Sequence, residues 1–106
     1  MVSMNMRNSE HKICEDAVHH YGIDAQILKT VEELNELAVE LMHCLDGKSS
    51  DDEIKGELAD VRIMIEQMCI LFGDVDIPIA IKLYHLKKRI ERDNLRTLGN
   101  KWGAIL

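Results

Sequence analysis

Apolar residues recur along much of this chain at steps of three and four, the spacing of a helix with one buried face. Ile27, Val31, Leu34, Ala38, Leu41 and Leu45 form one such stripe, and Ile54, Leu58, Val61, Ile65, Met68 and Phe72 form another. The pattern predicts four helices. The first runs from Ser9 to Tyr21, with Gly22 ending it as the residue that adopts a left-handed conformation most easily. The second follows Asp24 as N-cap and runs to Leu45, before the turn Asp46-Gly47-Lys48-Ser49-Ser50. The third starts at Asp51 or Asp52 and runs to Phe72, stopped by Gly73. The fourth follows Asp76 as N-cap, carries Pro78 in a first turn where a missing N–H costs nothing, and ends near Arg96.

The third helix also carries Ile63, Met64, Ile70 and Leu71 off its main stripe. A helix apolar on nearly all sides belongs at the centre of a bundle or at a subunit interface. Four helices of roughly 75 residues in total make a thin core by themselves. The expected architecture is therefore all-α, a four-helix bundle completed by homo-oligomerisation as a homodimer or homotetramer. Residues 1–96 form its single domain and residues 97–106 a C-terminal tail.

Composition agrees. The 106 residues are 46% hydrophobic and 30% charged, with one Pro and 4% aromatics, which suits one helical globular domain rather than a β-sandwich. No apolar run approaches the ~20 residues of a membrane-spanning helix, and Met1–Arg7 has no apolar segment of a secretory signal. Cys14, Cys44 and Cys69 are odd in number and lack CxxC spacing, so reduced, buried thiols in a cytoplasmic protein are expected.

Charge changes the picture more. The formal net charge is −6, which argues against stable nucleic-acid binding. Residues 1–76 carry 17 acidic and 6 basic side chains, whereas residues 77–106 carry 2 acidic and 7 basic. Such a chain either holds a cation at one part and an anion at another or pairs its own helices electrostatically.

The acidic part contains Glu32-Glu33-Leu34-Asn35-Glu36 on the second helix and Glu57-Leu58-Ala59-Asp60 on the third, whereas Glu40 and Glu66 read as solvated. Glu33 and Glu36 lie about 60° apart and one turn along, and so do Glu57 and Asp60. Glu57 falls at the edge of the apolar face, beside Met64 and Leu71, where an unpaired carboxylate is costly. If the two helices pack antiparallel, the pairs face each other. Four converging carboxylates repel unless a cation sits among them, and hard oxygen ligands suit Mg²⁺ or Mn²⁺.

This pattern resembles the MazG-like nucleoside triphosphate pyrophosphohydrolases, a superfamily that includes the all-α dimeric dUTP pyrophosphatases. The likeness rests on EExxE at Glu32–Glu36, 20 intervening residues, and ExxD at Glu57–Asp60, within Val31-Glu32-Glu33-Leu34-Asn35-Glu36-Leu37 and Gly56-Glu57-Leu58-Ala59-Asp60-Val61. It extends over roughly residues 9–96. The resemblance implies a MazG-like bundle in which Glu33, Glu36, Glu57 and Asp60 ligate Mg²⁺, with Mn²⁺ as a possible substitute. It leaves Glu32 either to orient or deprotonate water or only to support the site. It implies hydrolysis of a (deoxy)nucleoside triphosphate to the monophosphate and pyrophosphate by attack at the α-phosphorus.

On the fourth helix Lys82, His85, Arg89, Arg92 and Arg96 share one face, and Ile79, Leu83, Leu86 and Ile90 another. Arg forks and Lys point charges are the usual partners of a triphosphate, and Lys82, Arg89 and Arg92 are the phosphate-binding candidates. His20, Gln26 and Trp102 are the base-binding candidates. A P-loop motif is missing. A di-iron bundle needs two Glu-x-x-His elements, and only Glu40-Leu41-Met42-His43 fits. The alternative to an enzyme is a helical interaction or regulatory module with a vestigial metal site.

Overall fold

The structure, a computed structural model, describes residues 6–105, with side chains through residue 98. The described chain is helical, with no strand: α1 (Asn8–Tyr21), α2 (Ile23–Leu45), α3 (Asp51–Phe72) and α4 (Asp76–Ile105). It divides into two compact units, residues 1–74 and 75–106. No helix is long and apolar enough to cross a membrane among the described residues.

In the first unit one glycine separates α1 from α2. Gly22 at φ +91° donates its N–H to Val18 O, closing α1, while its carbonyl accepts from Gln26 N and opens α2. A side chain at that φ would be strained. The second helix thus begins before Asp24, which sits in its first turn instead of capping it. Ser50 caps α3 by accepting a hydrogen bond from Glu53 N at 3.1 Å, and Asp51, Asp52 and Glu53 complement the dipole of the first turn.

The main contact of this unit, α2 against α3, is a polar seam. Gln26, Thr30 and Glu33 are buried on α2, with Leu37 and Glu40 half-buried on the same face. From α3, Met64 and Gln67 are buried and Glu57 is half-buried. Gln26 Nε2 donates to Gln67 Oε1 at 2.7 Å, and Thr30 Oγ1 donates to Gln26 O. The apolar stripe predicted to be the core of α2 points elsewhere. Val31, Leu34, Leu41 and Leu45 are 49, 44, 44 and 80% exposed. A three-helix unit this small cannot enclose both faces of α2, and the polar one is enclosed.

The first helix is tied to α3 by buried Cys14, whose Sγ lies 3.9 Å from Ile63 O, and by His11 Nδ1, 2.7 Å from Glu66 Oε2; Val18 is buried as well. Glu66 is 2% exposed, so it is not the solvated residue its sequence context suggests. Cys44 is exposed, against expectation, because it shares α2 with a stripe that nothing in the unit covers.

The second unit is α4. Its backbone continues past Arg96 to Ile105, through the stretch expected to be a tail. Neither Gly99 nor Gly103 stops it, since an isolated glycine costs a helix only about 1 kcal/mol. Leu83, Leu86 and Ile90, expected to face a core, are 57, 42 and 51% exposed.

The seam yields a prediction. Gln67→Ala strands the Gln26 amide in a buried position and should cost about 1–3 kcal/mol in denaturant unfolding. An unchanged midpoint would show that the pair does not hold α2 to α3.

Candidate metal centre

The polar seam brings three of the predicted carboxylates together. Glu33, Glu36 and Glu57 each offer an oxygen within 4.8 Å of the other two, the one such cluster among the described residues. Helix geometry explains the convergence: Glu33 and Glu36 are one turn apart on α2, and Glu57 comes from the facing side of α3. Glu57 shares its face with Met64 and Leu71, as the spacing predicts. Asp60, one turn further along α3, is exposed and stands outside the triplet, although its charge acts on Glu57.

The electrostatics are those of crowded like charges. The carboxyl of Glu36 is pushed above the ordinary range, chiefly by the charge of Glu33, then by burial, with Glu57 and Glu32 adding. Glu57 is also raised, first by desolvation and then by Asp60, Glu33 and Glu40. Two oxygens, Glu33 Oε2 and Glu57 Oε2, are buried without a hydrogen-bond partner. Buried carboxylate oxygens left unpaired are strongly unfavourable. All-oxygen donors, crowded negative charge and two open buried lone-pair sites fit a hard divalent cation such as Mg²⁺ or Mn²⁺.

Three features of this unit, two of them beside the triplet, are not evident from the carboxylate motif. Lys29 places Nζ 3.1 Å from Glu33 Oε1 and 3.5 Å from Glu32 Oε2. Its steps of three and four to these residues are the signal that could have found it. Ser49 Oγ donates to Glu40 Oε1, so Glu40 is half-buried rather than solvated and contributes to the field on Glu57. A hydroxyl nine residues away in a turn has no periodic signature. Glu66, away from the triplet on α3, is the third, and its partner His11 lies on α1.

The other candidates are not members of the triplet. Glu32 is exposed beside Glu33. Lys82, Arg89 and Arg92 are exposed along α4, with His85 and Arg96. His20 is exposed and meets Tyr21 edge-on, with ring centroids 4.6 Å apart. Gln26 is buried and donates to Gln67. The Trp102 side chain lies outside the described residues. His43 of the single Glu-x-x-His element is exposed and outside the triplet.

The raised carboxyls predict a pH dependence with a definite sign. A carboxyl whose pKa is higher folded than unfolded favours the fold below its ordinary value of 4.5 and loses that contribution as pH rises through its raised value. In chelator, Glu36→Gln should therefore melt above the unsubstituted chain at pH 7, and the gap should close towards pH 4. A lower melting temperature for Glu36→Gln at pH 7 would contradict the repulsion.

Compared with known proteins, the chain matches no protein-family model, no curated protein and no solved structure.

Proposed function

We propose that the chain is a MazG-like, Mg²⁺-dependent nucleoside triphosphate pyrophosphohydrolase, which converts (deoxy)nucleoside triphosphates to the monophosphate and pyrophosphate. Its role would be nucleotide-pool sanitation or control in the cytoplasm. The observation that carries the reading is the carboxylate triplet on the α2–α3 seam, with Glu33 Oε2 and Glu57 Oε2 buried and unpartnered. The order EExxE then ExxD along the chain supports it.

In this reading Glu33, Glu36 and Glu57 hold the cation, and Asp60 completes the set from the next turn of α3. A divalent ion held by these carboxylates would supply a Lewis acid for the substrate phosphates and for a water. Glu32, exposed next to Glu33, would orient that water, accept its proton or only support the site. By their spacing along α4, Lys82, Arg89 and Arg92 are the residues that would compensate the charge of a triphosphate and of the departing pyrophosphate. Trp102 and His20 remain the base-contacting candidates. Gln26 would serve a base only by giving up its bond to Gln67.

The reading includes a second copy of the chain. The exposed stripe of α2 and the exposed Leu58, Ile65 and Phe72 of α3 form apolar surface of the kind a partner subunit covers. A homodimer or homotetramer would complete the bundle. The same surface favours the runner-up, an interaction module whose metal site has no catalytic use.

A single assay separates the two. Incubation with a panel of nucleoside and deoxynucleoside triphosphates and Mg²⁺ should release monophosphate and pyrophosphate from at least one. Glu36→Gln and Asp60→Asn should each lower the rate by ~100-fold or more while leaving helicity unchanged. Diphosphate plus phosphate as products, or no turnover of any triphosphate, would overturn the proposal.

A further inference from the structure

Glu33 is the most deeply buried member of the triplet, and its two oxygens have different surroundings. Oε2 is buried without a partner, whereas Oε1 is held by the Lys29 ammonium at 3.1 Å. The same ammonium stands 3.5 Å from Glu32 Oε2. Lys29 thus spans the two adjacent glutamates of the motif from one helical turn away. Its side chain is 47% exposed, on a four-carbon stem that lets the ammonium swing into solvent.

A single positive charge offsets only part of the charge of three converging carboxylates. A divalent cation interacts twice as strongly at equal distance and gathers all three ligands at once. A free monovalent ion has no such advantage over an ammonium tethered one turn away, whose effective concentration at Glu33 is high.

We infer that Lys29 is a built-in counter-ion of the carboxylate centre, bound to Glu33 when the centre is empty and displaced from it by a divalent cation. This rests on the reading of the triplet as a cation site. Lys29 is then a positioning residue that holds Glu33 in the seam and sets the threshold of divalent occupancy by competition. Removing the ammonium should make the empty protein less stable and the cation bind more tightly. A merely structural lysine would give the first effect without the second.

The experiment is a calorimetric titration of Mn²⁺ into the full chain, the Lys29→Gln variant and the Lys29→Arg variant, with melting curves in chelator and in saturating Mn²⁺. Lys29→Gln should bind Mn²⁺ roughly 3- to 10-fold more tightly, the loss of one partly exposed ion-paired competitor. Its melting temperature should fall in chelator and gain more from Mn²⁺ than that of the unsubstituted chain. Lys29→Arg, which keeps the charge, should behave as the unsubstituted chain does. Equal or weaker binding by Lys29→Gln, or tighter binding by Lys29→Arg as well, would overturn the counter-ion role while leaving the cation site standing. Absence of Mn²⁺ binding by every form would overturn the cation site and this inference with it. A second measurement needs no variant: Mg²⁺ titration of the unsubstituted chain should move the Lys29 ammonium NMR signal to the position of a free lysine as the site fills. A signal that stays in place would also overturn the counter-ion role.

Discussion

Like charges held together out of water are the constraint on which this structure turns. Carboxylates left to themselves move apart into solvent, yet Glu33 and Glu57 are drawn into the seam between α2 and α3 with Glu36 beside them. The opposing forces are local and identifiable. Gln26 and Gln67 clamp the two helices further along the seam, and Ser50 caps the start of α3. Lys29 supplies a partial counter-charge; the repulsion that remains raises the carboxyl of Glu36, and burial, then repulsion, raises that of Glu57. Repulsion of this kind, concentrated at one place in a fold, is what a bound divalent cation would relieve.

Much of this was legible in the sequence. Helical periodicity, the glycines at 22 and 73 and the acidic start of α3 determined the first three helices and the start of the fourth to within a few residues, whereas α4 runs on to Ile105, nine residues past its expected end. The paired three-residue spacing of Glu33–Glu36 and Glu57–Asp60 marked four carboxylates, of which Glu33, Glu36 and Glu57 come together while Asp60 stays outside, since a helix turns each pair to one side wherever it packs. Which side of α2 faces α3 was not legible. Hydropathy marks Val31, Leu34 and Leu41 as the face to bury, and in a single chain it is Gln26, Thr30 and Glu33 that are buried. Periodicity reports that a face needs cover and is silent on whether the cover comes from the same chain or from another copy. The contacts of Glu66 with His11 and of Glu40 with Ser49 were hidden for a different reason: they join residues on different segments, and no spacing encodes them.

The inversion of α2 connects stability to function. A helix with a polar inner face and an apolar outer face can host charged chemistry in the seam and still contribute apolar surface to an assembly. Gln26, buried and bonded to Gln67, illustrates the division, because it stabilises the helix pair that positions the carboxylates. The basic residues of α4 follow the same separation of sign seen in the charge of the chain, acidic before residue 76 and basic after it.

The central claim is that the triplet is a divalent-cation site, and anomalous diffraction from crystals grown with Mn²⁺ tests it most directly. The account predicts one strong anomalous peak within about 2.0–2.3 Å of oxygens from Glu33, Glu36 and Glu57. A crystal in which Mn²⁺ binds elsewhere, or in which the seam carries no peak at millimolar Mn²⁺, would contradict it.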